Sequence, residues 1–246
     1  MDNTKYVALS RQMGLWKQMD TVANNMANMN TSGYKTQEVM FKSYVAQAVG
    51  AEGFGKDPVH FTQDYATVKD FSEGVMYETG NTYDVAISGD AFFAVETDHG
   101  EMYTRKGQFQ VDYSGQIVTQ DGYTVLNESN EPLFIAPDER SIEITATGEV
   151  VTENGIIGRL KLVKFDDNQK LKKVTDTMYS NVENNKMDVA NDVRVAQGVV
   201  EKSNVNSIAE MTKLISLQRN YEYVQQMIDA EHQRLSNTIE VYSQLA

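Results

Sequence analysis

The chain has 246 residues, with 22 basic against 35 acidic side chains for a net charge of −13, three histidines and no cysteine. A nucleic-acid binder needs a positive face to displace counterions from phosphate, so this balance argues against DNA or RNA as a partner. The missing cysteine removes disulfides, thiolate metal sites and thiol nucleophiles, and no run of about 18 apolar residues is present to span a bilayer. The opening residues Met1-Asp2-Asn3-Thr4-Lys5 lack a basic stretch followed by an apolar one, so no cleaved signal peptide is expected. The charge is uneven. Residues 1–35 carry +2 and residues 201–246 carry −2, so 36–200 hold the whole excess.

In chain order, Leu9, Met13, Trp16, Met19, Ala23 and Met26 recur at spacings of three and four. That spacing predicts a helix over about 4–29 with one apolar stripe, closed near Asn30-Thr31-Ser32-Gly33 by a left-handed glycine. Residues 1–35 therefore read as a helical segment, followed by a polar, glycine-containing connector over 36–74. Over 75–165, short β-prone runs alternate with turn signals. The runs include Ala91–Val95, Met102–Thr104, Phe109–Val111, Gln116–Val118, Tyr123–Leu126, Leu133–Ile135, Ser141–Ile144, Glu149–Val151 and Arg159–Phe165. The turn signals include Ser114-Gly115, Asp121-Gly122 and Glu153-Asn154-Gly155, a pattern that predicts a mainly antiparallel β domain. Residues 166–206 read as a return connector. Over 207–246, Ser207-Ile208-Ala209-Glu210 has capping-box form. Positions 214, 217, 221, 224, 228, 231, 235, 238, 242 and 245 then step by three and four, eight of the ten being apolar. This predicts one long helix with a coiled-coil seam. The expected fold is α+β, with N- and C-terminal helices pairing as a coiled coil around an inserted β domain.

Five separated blocks resemble the flagellar basal-body rod and hook protein family. The first is Ala23-Asn24-Asn25-Met26-Ala27-Asn28 running into Asn30-Thr31-Ser32-Gly33-Tyr34-Lys35, and Tyr6–Met13 ahead of it is most similar to the proximal-rod members. Thr79–Phe93 and Tyr103-Thr104-Arg105-Lys106-Gly107-Gln108-Phe109 resemble the start of the family's central domain, although Ala91 stands where Gly is usual. Gln197-Gly198, Glu201, Ser203-Asn204-Val205 and Gln218-Arg219-Asn220-Tyr221 resemble its C-terminal block. The resemblance implies a structural subunit of the basal-body rod, assembling through its terminal helices in the periplasm. It implies other axial proteins and further copies of itself as partners, and export by the flagellar type III apparatus. A distal-rod or hook-type subunit is the nearest alternative. A ligand-binding β module oligomerised by its helices is a more distant one.

The expected assembly interface consists of Leu9, Met13, Trp16, Ala23, Asn24, Asn25, Met26 and Asn28 on the first helix. On the second it consists of Leu214, Leu217, Tyr221, Val224, Ile228 and Leu235. Asn is a poor helix former, so Asn24, Asn25 and Asn28 near one helix end either cap a frayed terminus or interlock helices through their amides. The resemblance favours interlocking. No nucleophile elbow, zinc-binding His pair or dinucleotide fingerprint occurs, and Gly50–Gly55 follows no strand and reads as a connector rather than a phosphate loop. No enzymatic activity, cofactor or metal is expected.

Overall fold

The structure is a computed structural model that describes residues 3–46, 59–136, 139, 141–182, 185–190 and 192–245. The chain divides into two compact units. One comprises Met1–Ala27, Gln37–Lys69 and Asn206–Ala246, and the other Asn28–Thr36 and Asp70–Val205.

The first unit holds helix α1 (Asn3–Ala27), strands β1 (Gln37–Ala46) and β2 (Val59–Lys69), and helix α2 (Ser207–Leu245). At 1.5 Å per residue, α2 is about 58 Å long and α1 about 37 Å. They run antiparallel, because Asn25 bonds to Glu210 while Gln12 bonds to Gln225. Their shared core is Ala8, Leu15 and Val22 from α1 with Leu217 and Val224 from α2. Met19, Met26, Leu214, Tyr221 and Ile228 pack against it, partly buried. The first five positions of the α2 stripe, Leu214 to Ile228, are therefore turned toward α1. Of the α1 stripe, only Met19 and Met26 pack there. Ala8, Leu15 and Val22 lie seven residues apart and face the partner, whereas Leu9, Met13, Trp16 and Ala23 are exposed. One residue is about 100° of rotation, and α1 has apolar side chains at both angles, so periodicity alone does not choose between them.

Two local expectations are also corrected. The cap of α2 is Asn206, whose Oδ1 accepts the N–H groups of Ile208 and Ala209, both at 3.1 Å. Ser207 already lies in the helix, and the Glu210 carboxylate accepts from Asn25. Residues 36–74 are not merely a connector. β1 and β2 form an antiparallel ladder from Gln37↔Lys69 to Ala46↔Val59, with a shift between Met40 and Phe41. The apolar residues of this hairpin are interleaved with Lys42, Gln63 and Asp64, and its two strands find each other across a long intervening segment. Neither strand carries its own turn signal. Gly50–Gly55 lie outside the described residues.

In the second unit, Phe92–Thr97 pairs with Gly100–Thr104, Thr124–Val125 and Leu162–Phe165 within the largest sheet among the described residues. Phe93 and Val95 enter one core with Val85, Phe109, Leu133 and Leu160. Phe92 and Ala94 enter a second with Tyr103, Phe165, Leu171 and Tyr179. A strand buried on both faces explains why Ala91–Val95 has no polar alternation. Ala91 is fully buried and takes an ordinary φ, so the methyl group in place of the family's Gly is accommodated. Ile142–Ile144, Glu149–Thr152 and Gly155–Arg159 form a meander with the expected turn at Glu153-Asn154. Leu133–Ile135 is no strand and makes only the Gln116↔Phe134 bridge. The expected run Arg159–Phe165 belongs to two strands. The return segment 166–206 contributes strands of its own. Arg194–Gln197 pairs with Val85–Ser88, and Val199–Glu201 with Met76–Glu78. Their partners lie more than 100 residues upstream, so nothing local marks them.

Candidate functional site

Among the described residues, no three His, Cys, Asp or Glu side chains converge as metal ligands, and no helix is long and apolar enough to cross a membrane. The features that call for a function are apolar surface and buried polar groups.

On α1, Leu9, Met13 and Trp16 are 50%, 66% and 62% exposed and step by four and three along one face. On α2, Ile208, Met211, Ile215, Tyr223 and Met227 are also exposed. Each helix thus turns one apolar stripe to its partner and leaves other apolar side chains in water. Contiguous exposed apolar surface is characteristic of a docking face. Trp16 and Tyr223 supply the large amphipathic rings that commonly anchor interfaces. Of the α2 residues expected at an interface, Leu217 and Val224 are buried within the chain. Leu214, Tyr221, Ile228 and Leu235 are half-buried.

The asparagines behave differently from one another. Asn25 is wholly buried. Its Nδ2 donates to the Gln37 carbonyl at 2.9 Å, and its Oδ1 accepts the Gln37 N–H at 3.1 Å. Nδ2 also donates to Glu210 Oε2 at 3.2 Å. The amide therefore pairs with Gln37 as a neighbouring strand would, and ties α1, β1 and α2 together. Asn24 is exposed. Asn28 is half-buried in the second unit and accepts from the Thr31 hydroxyl at 3.0 Å.

Sequence reasoning passed over a charged cluster in the second unit, although its members are motif residues. Lys35 Nζ lies 2.6 Å from both Glu201 Oε1 and the Ser72 carbonyl. Glu201 Oε1 also accepts the Gly74 N–H at 2.9 Å, and the Glu201 carbonyl accepts the Gly33 N–H at 2.8 Å. The Arg105 guanidinium sits 3.6 Å from Glu201 and from Asp90, over the Phe92 ring at 5.0 Å. Burial holds the Lys35 ammonium below its ordinary value against the opposing pull of Glu201, and lowers Arg105 in the same way. Asn204 Oδ1 accepts from the Thr36 N–H and hydroxyl, and its Nδ2 donates to the carbonyls of Asp70 and Ser72. Gly33 takes φ +71°, but not to stop α1, which ends six residues earlier. A Cβ there would lie 2.4 Å from the Lys106 nitrogen. The available signal was the presence of charged side chains inside otherwise apolar or glycine-rich motif blocks.

Comparison with known proteins finds three matched segments. Residues 6–35 match the family described as flagella basal body rod protein, and residues 86–152 the flagellar hook protein FlgE/F/G D1 domain. Residues 196–241 match the flagellar basal body rod FlgEFG protein C-terminal family. The chain is 40% identical to the flagellar basal-body rod protein FlgF of Caulobacter vibrioides over 93% of both chains. It is 34% identical to FlgF of Mesorhizobium japonicum over 90% of both. It is 30% identical to the rod protein FlgG of Bacillus subtilis over 95% of this chain and 97% of that one.

Proposed function

The chain belongs to the flagellar basal-body rod protein family and is a structural subunit of that rod, and we propose that it docks there through the exposed faces of its two helices. The observation that carries this reading is the Leu9–Met13–Trp16 stripe, left in water by a helix whose other apolar face is already covered by α2. In this reading the α1–α2 seam, with its steps of three and four, is a short antiparallel coiled coil that makes a rigid two-helix rod element. The stripes outside the seam pack against other axial subunits and further copies of this chain. Leu235 and the exposed Asn24 add to that surface, while Asn25 supports it from inside. Burying the stripe of three large side chains would contribute several kcal/mol per contact, at about 25 cal/mol per Å² of apolar surface removed from water.

The 40% identity to FlgF of Caulobacter vibrioides, against 30% to FlgG of Bacillus subtilis, favours the proximal rod over the distal rod or hook. The subunit would lie in the periplasmic part of the basal body, be delivered by the flagellar type III apparatus, and perform no catalysis. Trp16→Asp places a charge on the exposed stripe without touching any of the three cores. We expect secretion and β-unit folding to continue while completed basal bodies and motility are lost. Normal motility in that variant overturns the reading.

A further inference from the structure

The backbone passes between the two compact units four times, at 27/28, 36/37, 69/70 and 205/206. Three of the segments that meet these crossings belong to the second unit, namely 28–36, 70–74 and 201–205, and all three converge on the same polar side chains. We propose that Lys35, Glu201 and Asn204 form an internal clasp that holds these entry and exit segments together, so that α1 and α2 spring from one place although 179 residues separate them. The clasp residues all lie in the second unit, and the proposal does not depend on the rod assignment.

Glu201 is the centre of the clasp. Through Oε1 it holds Lys35 and the Gly74 N–H, and through its own carbonyl the Gly33 N–H. Lys35 then reaches on to the Ser72 carbonyl. Asn204 closes the other side by accepting from Thr36 and donating to Asp70 and Ser72, whose segment is tied again by the Asp70 N–H donating to the Thr36 carbonyl. The fit is tight. A Cβ on Gly74 would lie 1.8 Å from the Lys202 carbonyl oxygen, so only glycine lets the 70–74 segment lie this close to the exit strand. Lys35 and Glu201 are almost wholly buried. A buried charge that loses its partner is costly, and the pair therefore favours one closed arrangement over a splayed one.

The physical consequence is a shorter loop. In an unstructured chain, pairing α1 with α2 closes a loop of 179 residues. With Gly33 fixed to Glu201, only the short stretches 28–33 and 201–206 remain to be closed. Loop-closure probability scales roughly as the inverse three-halves power of length, so relative to an unstructured chain the folded β unit and its clasp together raise the effective concentration of one helix for the other on the order of fifty-fold.

The chain has no cysteine, so spin labels can be introduced without background. Labels on Asn30→Cys and Lys202→Cys, both exposed and both in the second unit, report the separation of the entry and exit segments in the full chain. We expect a single narrow distance distribution for the parent and a broadened one for Asn204→Ala, with the thermal transition of the β unit retained. Glu201→Gln keeps the acceptor oxygen but takes the carboxylate from Lys35 and one of the two nearby carboxylates from Arg105, and should broaden the distribution further. Asn204→Asp, which retains the acceptor for Thr36, should recover part of the narrowing. An unchanged distribution in Asn204→Ala and Glu201→Gln overturns the proposal. So does loss of the β unit's own transition in Asn204→Ala, because the residue would then support the whole core rather than a local clasp.

Discussion

Asn25 offers the sharpest test of how the first unit is held together. Replacement by Ala removes two bonds to the Gln37 backbone and one to the Glu210 carboxylate. A buried backbone group left without a partner costs about 1–3 kcal/mol. Gln37 is only half-buried, so water recovers part of that loss, whereas Glu210 is buried and recovers less. Ala returns up to about 0.7 kcal/mol as the better helix former. The expected balance is a loss of about 2 kcal/mol from the first unit. Trp16 is the sole tryptophan and lies on α1, so its fluorescence during urea unfolding reports that unit selectively. Asn24→Ala, at an exposed neighbour, should stay within about 0.5 kcal/mol of the parent. Asn25→Asp keeps an acceptor for the Gln37 N–H but sets a second carboxylate beside Glu210, and should do no better than Ala. A parent-like or raised midpoint in Asn25→Ala would refute this account and favour a simple frayed helix end.

Leu217→Ala opens a cavity in the five-residue core between α1 and α2, and should lower the same Trp16-reported stability by about 2–4 kcal/mol without moving the β-unit transition. Gly33 and Gly80 share φ +71°, yet an added Cβ meets the Lys106 backbone at Gly33 and nothing within 4 Å at Gly80. Thermal unfolding should therefore show Gly80→Ala losing only the left-handed strain, about 1–2 kcal/mol, and Gly33→Ala losing clearly more. The Asp112 carboxyl accepts from Ser114 and from the Gln116 N–H, which holds it below the usual aspartate value. A depressed carboxyl stabilises the fold above its unfolded value and loses that contribution as the pH falls through its folded one. Melting temperatures taken below about pH 4 should therefore fall less steeply in Asp112→Asn than in the parent.

Periodicity and turn chemistry in the sequence by themselves determine the helix–β–helix order, the extent of α2 and the side chains from Leu214 to Ile228 that it turns inward. In each case the signal is carried by residues close together in the chain. The motif blocks likewise place the chain in its family. Which face of α1 is covered depends on the angle at which α2 arrives, and the helix has apolar side chains to offer at two angles. The β1–β2 hairpin closes across twelve residues, and the strands Arg194–Gln197 and Val199–Glu201 are completed by partners more than 100 residues upstream. The Asn25–Gln37–Glu210 tie and the Lys35–Glu201–Asn204 cluster are likewise invisible to any local window. Their energetics reside in groups 12 to 185 residues apart, each of which would read alone as an ordinary surface polar residue. Only folding brings them out of water, and desolvation is what turns them into structural ties.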